Sequence, residues 1–181
     1  MRIVTRCMGL PALLLAAMAA YPAAAQETAS AATLDYHKLK AVLPERVDSL
    51  KRTSATGGRS SAFGISVAYA EAEYQGKDGS QVTIKLSDLG GLPGVAAVAS
   101  HAWNAMEMES ESDTGFERTR QYKGCKVMEQ YDRNERSGEI SLMVGSRISV
   151  EITGSNVDFE TLQSALEALP LTRLKELASG Q

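Results

Sequence analysis

Three side chains have the type and spacing to do chemistry together: Arg118, Arg120 and Glu129. Only Lys123 and Gly124 separate Tyr122 from Cys125, and a two-residue loop ending in glycine signals a tight hairpin. Counting outward from it pairs Arg120 with Val127, Arg118 with Glu129 and Phe116 with Tyr131. All of these share one face, because side chains alternate along a strand. The same face continues through Ile140, Leu142 and Val144, and, after Gly145 to Arg147, through Ile148, Val150 and Ile152.

A carboxylate and two guanidinium groups are thereby expected on the apolar side of a sheet. Opposed charges that stay half exposed contribute roughly 0.2 to 1 kcal/mol, whereas a charge taken out of water must be paired or neutralised. The plain reading is an ion pair at an open sheet edge with its tips in water. The sharper reading is a pocket in which Arg118, Arg120 and Glu129 receive a small anionic or polar ligand. A third reading makes Glu129 the acid or base of a small hydrolase, with Arg118 or Arg120 as the adjoining cation.

Other chemistries lack their residues. No Gly-x-Ser-x-Gly elbow, phosphate loop or dinucleotide fingerprint occurs, so neither catalysis of those kinds nor a cofactor is expected. His37 and His101 are the two histidines, far apart and without helical metal-ligand spacing, so no metal site is expected from them. Acidic residues at 107, 109, 111 and 113 supply oxygen ligands but not the glycine or spacing of a calcium loop, and read as a solvated connection. Gly57, Gly58 and Arg59 lie in a Ser/Thr/Gly-rich stretch, Thr53 to Ser61, that reads as a mobile loop or a wandering edge.

The elements that must position the trio follow from periodicity. Ala68, Ala70, Ala72 and Tyr74 alternate toward the turn at Lys77–Gly79, which sets Tyr74 opposite Val82, Ala72 opposite Ile84 and Ala70 opposite Leu86. Phe63, Ile65 and Val67 fall on the other parity, so a bulge near Val67 to Tyr69 or burial of both faces is expected. A helix is expected from Thr33 to Leu43, with a second short turn through Val47 and Leu50. Another, carrying Val95, Val98, Ala102, Trp103 and Met106, is expected to cover the shallow alanine face, with Trp103 and Met106 in the core. A final helix opens at Asp158 with Phe159, Leu162, Ala165, Leu166 and Leu169 on its buried side; Pro170 breaks it, and Leu171, Leu174 and Leu177 continue as a last short turn. The fold class expected is α+β: an antiparallel sheet of about six strands, a hairpin plus a four-strand meander, covered by helices.

Arg2 and Arg6, an apolar run from Leu10 to Ala20, and Ala23 to Ala25 mark residues 1–25 as a cleaved secretory signal. The run is shorter than the roughly 20 residues of a membrane span, so no stable insertion is expected after cleavage. Residues 26–33 read as a disordered linker and residues 34–178 as one domain of the periplasm or exterior. Cleavage leaves 17 basic against 22 acidic residues, a net charge of −5, which disfavours nucleic acid as a partner. Cys125 is then the lone cysteine, unable to close an internal disulfide and placed on the apolar parity.

The strings LPERVDSLKRTS (Leu43 to Ser54), AEAEY (Ala70 to Tyr74), LSDLGG (Leu86 to Gly91), TGFERTRQYKG (Thr114 to Gly124) and VGSRISVEITG (Val144 to Gly154) are similar to a group of exported bacterial proteins of unknown function. The order of elements is loosely like that of PsbP-type domains. The resemblance implies an exported α+β protein and carries over no functional residue. The function expected is therefore a non-catalytic binding or accessory role in the bacterial envelope, with an envelope protein or a small anionic ligand as partner. The alternative is the small hydrolase built on Glu129.

Overall fold

The computed structural model describes residues 33–180 apart from 63, 64, 91 and 93, so the expected signal segment, nearly all of the linker, and Phe63 lie outside the described residues. Nine strands form one antiparallel sheet: β1 Arg46–Val47, β2 Leu50–Ala62, β3 Ile65–Gln75, β4 Gln81–Asp88, β5 Glu109–Ser112, β6 Gly115–Tyr122, β7 Cys125–Asp132, β8 Ser137–Val144 and β9 Ile148–Ser155. Their spatial order is β1-β2-β3-β4-β9-β8-β7-β6-β5, two meanders joined where β4 pairs β9. Four short helices complete the described residues: α1 Tyr36–Ala41, α2 Val95–Ala105, α3 Phe159–Ala168 and α4 Leu171–Ser179.

The register is the one that the turns dictate. Tyr122 pairs Cys125, Arg118 pairs Glu129 and Phe116 pairs Tyr131, while Ile140, Leu142 and Val144 face Ile152, Val150 and Ile148. Lys123 and Gly124 both take positive φ, 47° and 76°, the requirement of the hairpin turn whose twist matches its flanking strands. The first hairpin also pairs Tyr74 with Val82 and Ala70 with Leu86.

The expected six strands covered by helices must be corrected to nine strands, one face of which is layered by α1, α3 and α4. Three stretches supply the extra strands. Thr53 to Ser61, expected as a mobile loop or a wandering edge, is the edge: it belongs to the thirteen-residue β2. Val47 and Leu50, expected in a helical turn, pair with each other between β1 and β2. The alternating acids enter β5, whose four residues are all exposed. For the Gly- and Ser-containing part of β2 and the acidic β5, pairing with a neighbouring strand overrides weak local β-propensity, whereas β-branched Val47 suits the strand it joins. The expected bulge is displaced as well: β3 keeps its register, and the shift lies in β2 between Arg52 and Ser54. Ile65 and Tyr69 accordingly point to the open face, 45% and 38% exposed.

The helix expected to cover the alanine face is corrected in the same way. α1 lies on β2 and β3 instead, burying Leu39. α2 makes no substantial packing with any strand. Val98 is 70% exposed, and Met106 is on the surface rather than in the core. Trp103 is half-buried, its indole Nε1 donating to the Lys126 carbonyl at 3.0 Å.

Helix α3 reaches the sheet over a gap in its side chains. Gly138 and Gly154 are partners across β8 and β9, and a Cβ on either would fall 3.1 or 2.6 Å from the Leu162 side chain. Leu162 is fully buried between them, and α4 continues the layer with Leu171, Leu174 and Leu177. Truncating Leu162 to Ala should cost about 2–5 kcal/mol, and Gly154→Ala about 1–3 kcal/mol by overpacking. In urea unfolding, the double variant should lose less than the sum of the two, because the added methyl occupies space that Leu162 vacates.

Candidate functional site

Strands β6 and β7 bring the sequence-derived trio together. Glu129 lies on the core face with its side chain fully buried, and accepts a hydrogen bond from Arg118 Nε at 2.8 Å and a second from Arg120 Nε. Burial of the carboxylate departs from the expectation of an edge pair with its tips in water. β5 flanks β6, so the pair is not at the sheet's edge, and only the arginines reach solvent, with side chains 45% and 29% exposed. One carboxylate therefore serves two guanidinium groups, and Glu109, directly across from Arg118 on β5, places a second acid beside them.

Each guanidinium is also placed by an aromatic ring. Arg118 Cζ stands 4.6 Å from the Phe116 ring centroid and 5.7 Å from that of Phe159, while Arg120 Cζ stands 5.2 Å from Tyr122. Such contacts contribute about 0.5–1 kcal/mol at exposed sites. Phe116 meets Phe159 edge-on at 4.9 Å, and Tyr131 lies 5.6 Å from Phe159. The Tyr131 hydroxyl donates to the Val157 carbonyl at 2.8 Å, and burial raises its pKa.

These rings floor a groove of about 540 Å3 rimmed by Arg133, Arg136, Asp158 and Glu160. The strand register explains the first two rings, but Phe159 arrives with α3. Asp158, expected to cap that helix, makes no side-chain cap and pairs Arg136 at 3.0 Å. The groove thus offers an apolar floor of which Phe116 and Phe159 also stack on Arg118, while Arg118 itself lines a neighbouring hollow with Glu107, Met108, Glu109 and Thr119. No sequence periodicity linked Phe159, Arg133 or Arg136 to Arg118.

A second buried ion pair escaped the sequence reading altogether. Asp88, with no exposed surface, ends β4 and binds Arg147 through both oxygens, from Nε at 2.6 Å and Nη2 at 3.0 Å. It also accepts from the backbone N–H of Leu34 at 2.6 Å and of Gly90 at 3.0 Å. Burial works to raise its pKa, yet the Arg147 and backbone hydrogen bonds outweigh it, and the net direction is down. Four donors on one carboxylate make this a clamp that ties the start of the domain to the β8–β9 turn. Cys125 is buried in the core, and His37 and His101 are exposed.

No family model matches the chain, and neither a curated protein nor a solved structure matches it. No helix among the described residues is long and apolar enough to cross a membrane.

Removing both guanidiniums with Arg118→Ala and Arg120→Ala would leave Glu129 buried without a counter-charge, at a cost of about 3–5 kcal/mol. Adding Glu129→Gln to that double variant should recover part of the loss in chemical denaturation. At Asp88 the folded-state pKa is depressed, so its contribution is complete above the unfolded carboxylate value of about 3.9 and fades as pH falls toward the folded one. The stability gap between the wild type and Asp88→Asn, measured by urea unfolding, should therefore narrow as pH is lowered from about 5 to below 3.

Proposed function

We propose that the protein is a non-catalytic binding module of the bacterial envelope, periplasmic or secreted, whose contact site is the arginine–aromatic groove. The observation that carries this reading is the buried Glu129 holding two guanidinium groups that stay partly exposed. A cation pair fixed before the ligand arrives loses little side-chain freedom on binding. Guanidinium forks also suit carboxylate or phosphate oxygens. The adjoining rings of Phe116, Tyr131 and Phe159 would receive an apolar or aromatic body attached to the anion. Such a ligand is either a small aromatic anion or an acidic, aromatic segment of another envelope protein. The basic, apolar and small-residue run within residues 1–25 supports export.

The hydrolase alternative draws less support. Glu129 is sealed from solvent and each of its oxygens already accepts from an arginine, so a substrate proton has no open approach to it. Calorimetric titration with phenyl phosphate should show binding that inorganic phosphate and benzyl alcohol match only weakly. Arg118→Gln retains a donor for Glu129 and should weaken that binding about tenfold, the worth of one charge-assisted hydrogen bond. Equal heats for wild type and variant would count against the site. Turnover of ester, glycoside or peptide substrates that disappears in Glu129→Gln would instead favour the enzyme.

A further inference from the structure

The sheet ends on two very different edges. β5 is four residues long and carries Glu109 and Glu111, a short charged edge of the kind that resists further pairing. On the other side, β1 protects only the start of β2, through Arg46 with Lys51 and Val47 with Leu50. From Thr53 to Ala62 no strand among the described residues pairs the outer side of β2. Ten residues at about 3.4 Å each make an unpaired edge roughly 30 Å long.

Beyond the register shift at its start, between Arg52 and Ser54, the usual protections are missing from it. The stretch has no proline, and its one charged side chain, Arg59, donates to the Leu34 carbonyl at 3.2 Å on the core side. Its middle is thin, because Gly57 and Gly58 lack side chains. Tyr36 of α1 closes over Gly57 on one face and Tyr69 of β3 over Gly58 on the other, each 3.0 Å from where a Cβ would stand. The edge therefore offers backbone hydrogen bonds but no side-chain pocket with which to select a foreign peptide.

We propose that this edge pairs with the same edge of a second copy, antiparallel about a two-fold axis at the glycine pair, to give a continuous eighteen-stranded sheet. Strand pairing with its own copy needs partners of like parity, and a two-fold axis at Gly58 meets that need. Thr56 then faces Ser60 of the partner subunit, Gly57 faces the partner's Arg59 and Ala55 the partner's Ser61. The residues opposed are small, and Arg59 never faces its own copy. Tyr69, lying over Gly58 and 38% exposed, reaches the seam from both copies on the open face, where the two rings meet. The association satisfies the row of N–H and C=O groups that β2 otherwise leaves to water.

Sedimentation of the purified protein between about 1 and 100 µM, the span over which a moderate dimer dissociates, should show a concentration-dependent dimer. Thr56→Lys combined with Ser60→Lys places like charges directly across the seam and should weaken the dimer about tenfold. Both positions are exposed on the open face, so circular dichroism should show the fold retained. The matching Thr56→Glu, Ser60→Glu variant should also be a weaker dimer, and mixing the two variants should restore association as a heterodimer. A wild type that stays monomeric at 100 µM, or a dimer indifferent to both variants, overturns the proposal.

Discussion

The β4–β9 ladder is the constraint on which the rest of this structure depends. Chain segments sixty or more residues apart meet there along their full length, from Gln81 with Ser155 to Asp88 with Ile148. Ile84 faces Ile152 and Leu86 faces Val150, all fully buried, so the junction of the two meanders is also the centre of the core. Without this pairing each meander would be a small sheet with an apolar face and a bare edge. Because β4 and β9 join, the segment between them must carry the chain to the far edge and return strand by strand. α2 and the acidic β5 serve that passage, which accounts for their exposure.

Charge is handled differently at the two places where it enters the interior. Asp88 receives four donors and lies at the end of the central ladder, where it fastens the N-terminal segment and a distant turn. Glu129 sits on the face otherwise reserved for Val127, Tyr131 and Ile140, and both of its partners come from β6. A desolvated carboxylate requires compensation, and two guanidinium groups supply more than it needs. The partly exposed guanidinium groups and the stacked aromatic rings are what separate this cluster from a pair such as Asp88 with Arg147. The sheet is likewise asymmetric in its faces, since three helices cover one and the other displays Thr83, Lys85, Glu139 and Glu151.

Wherever local rules suffice, the sequence determined the outcome. Two-residue and three-residue turns at Lys123–Gly124 and Lys77–Gly79 set the strand registers, and from them the placing of Arg118 across from Glu129 on the apolar side. The heptad-like run Leu162, Ala165, Leu166, Leu169 likewise marked the buried side of α3. What only the tertiary structure decided are the features that need a partner from elsewhere in the chain. Thr53 to Ser61 becomes a strand because β3 is there to bond it, a contact invisible in a run of Ser and Gly without apolar alternation. α3 brings Phe159 to Arg118 through the gap at Gly138 and Gly154, and Asp88 finds Arg147 fifty-nine positions away. Turn chemistry and alternation act between near neighbours and can be read residue by residue. Edge pairing, helix docking and buried charge compensation act across the chain, and only the folded arrangement fixes who meets whom.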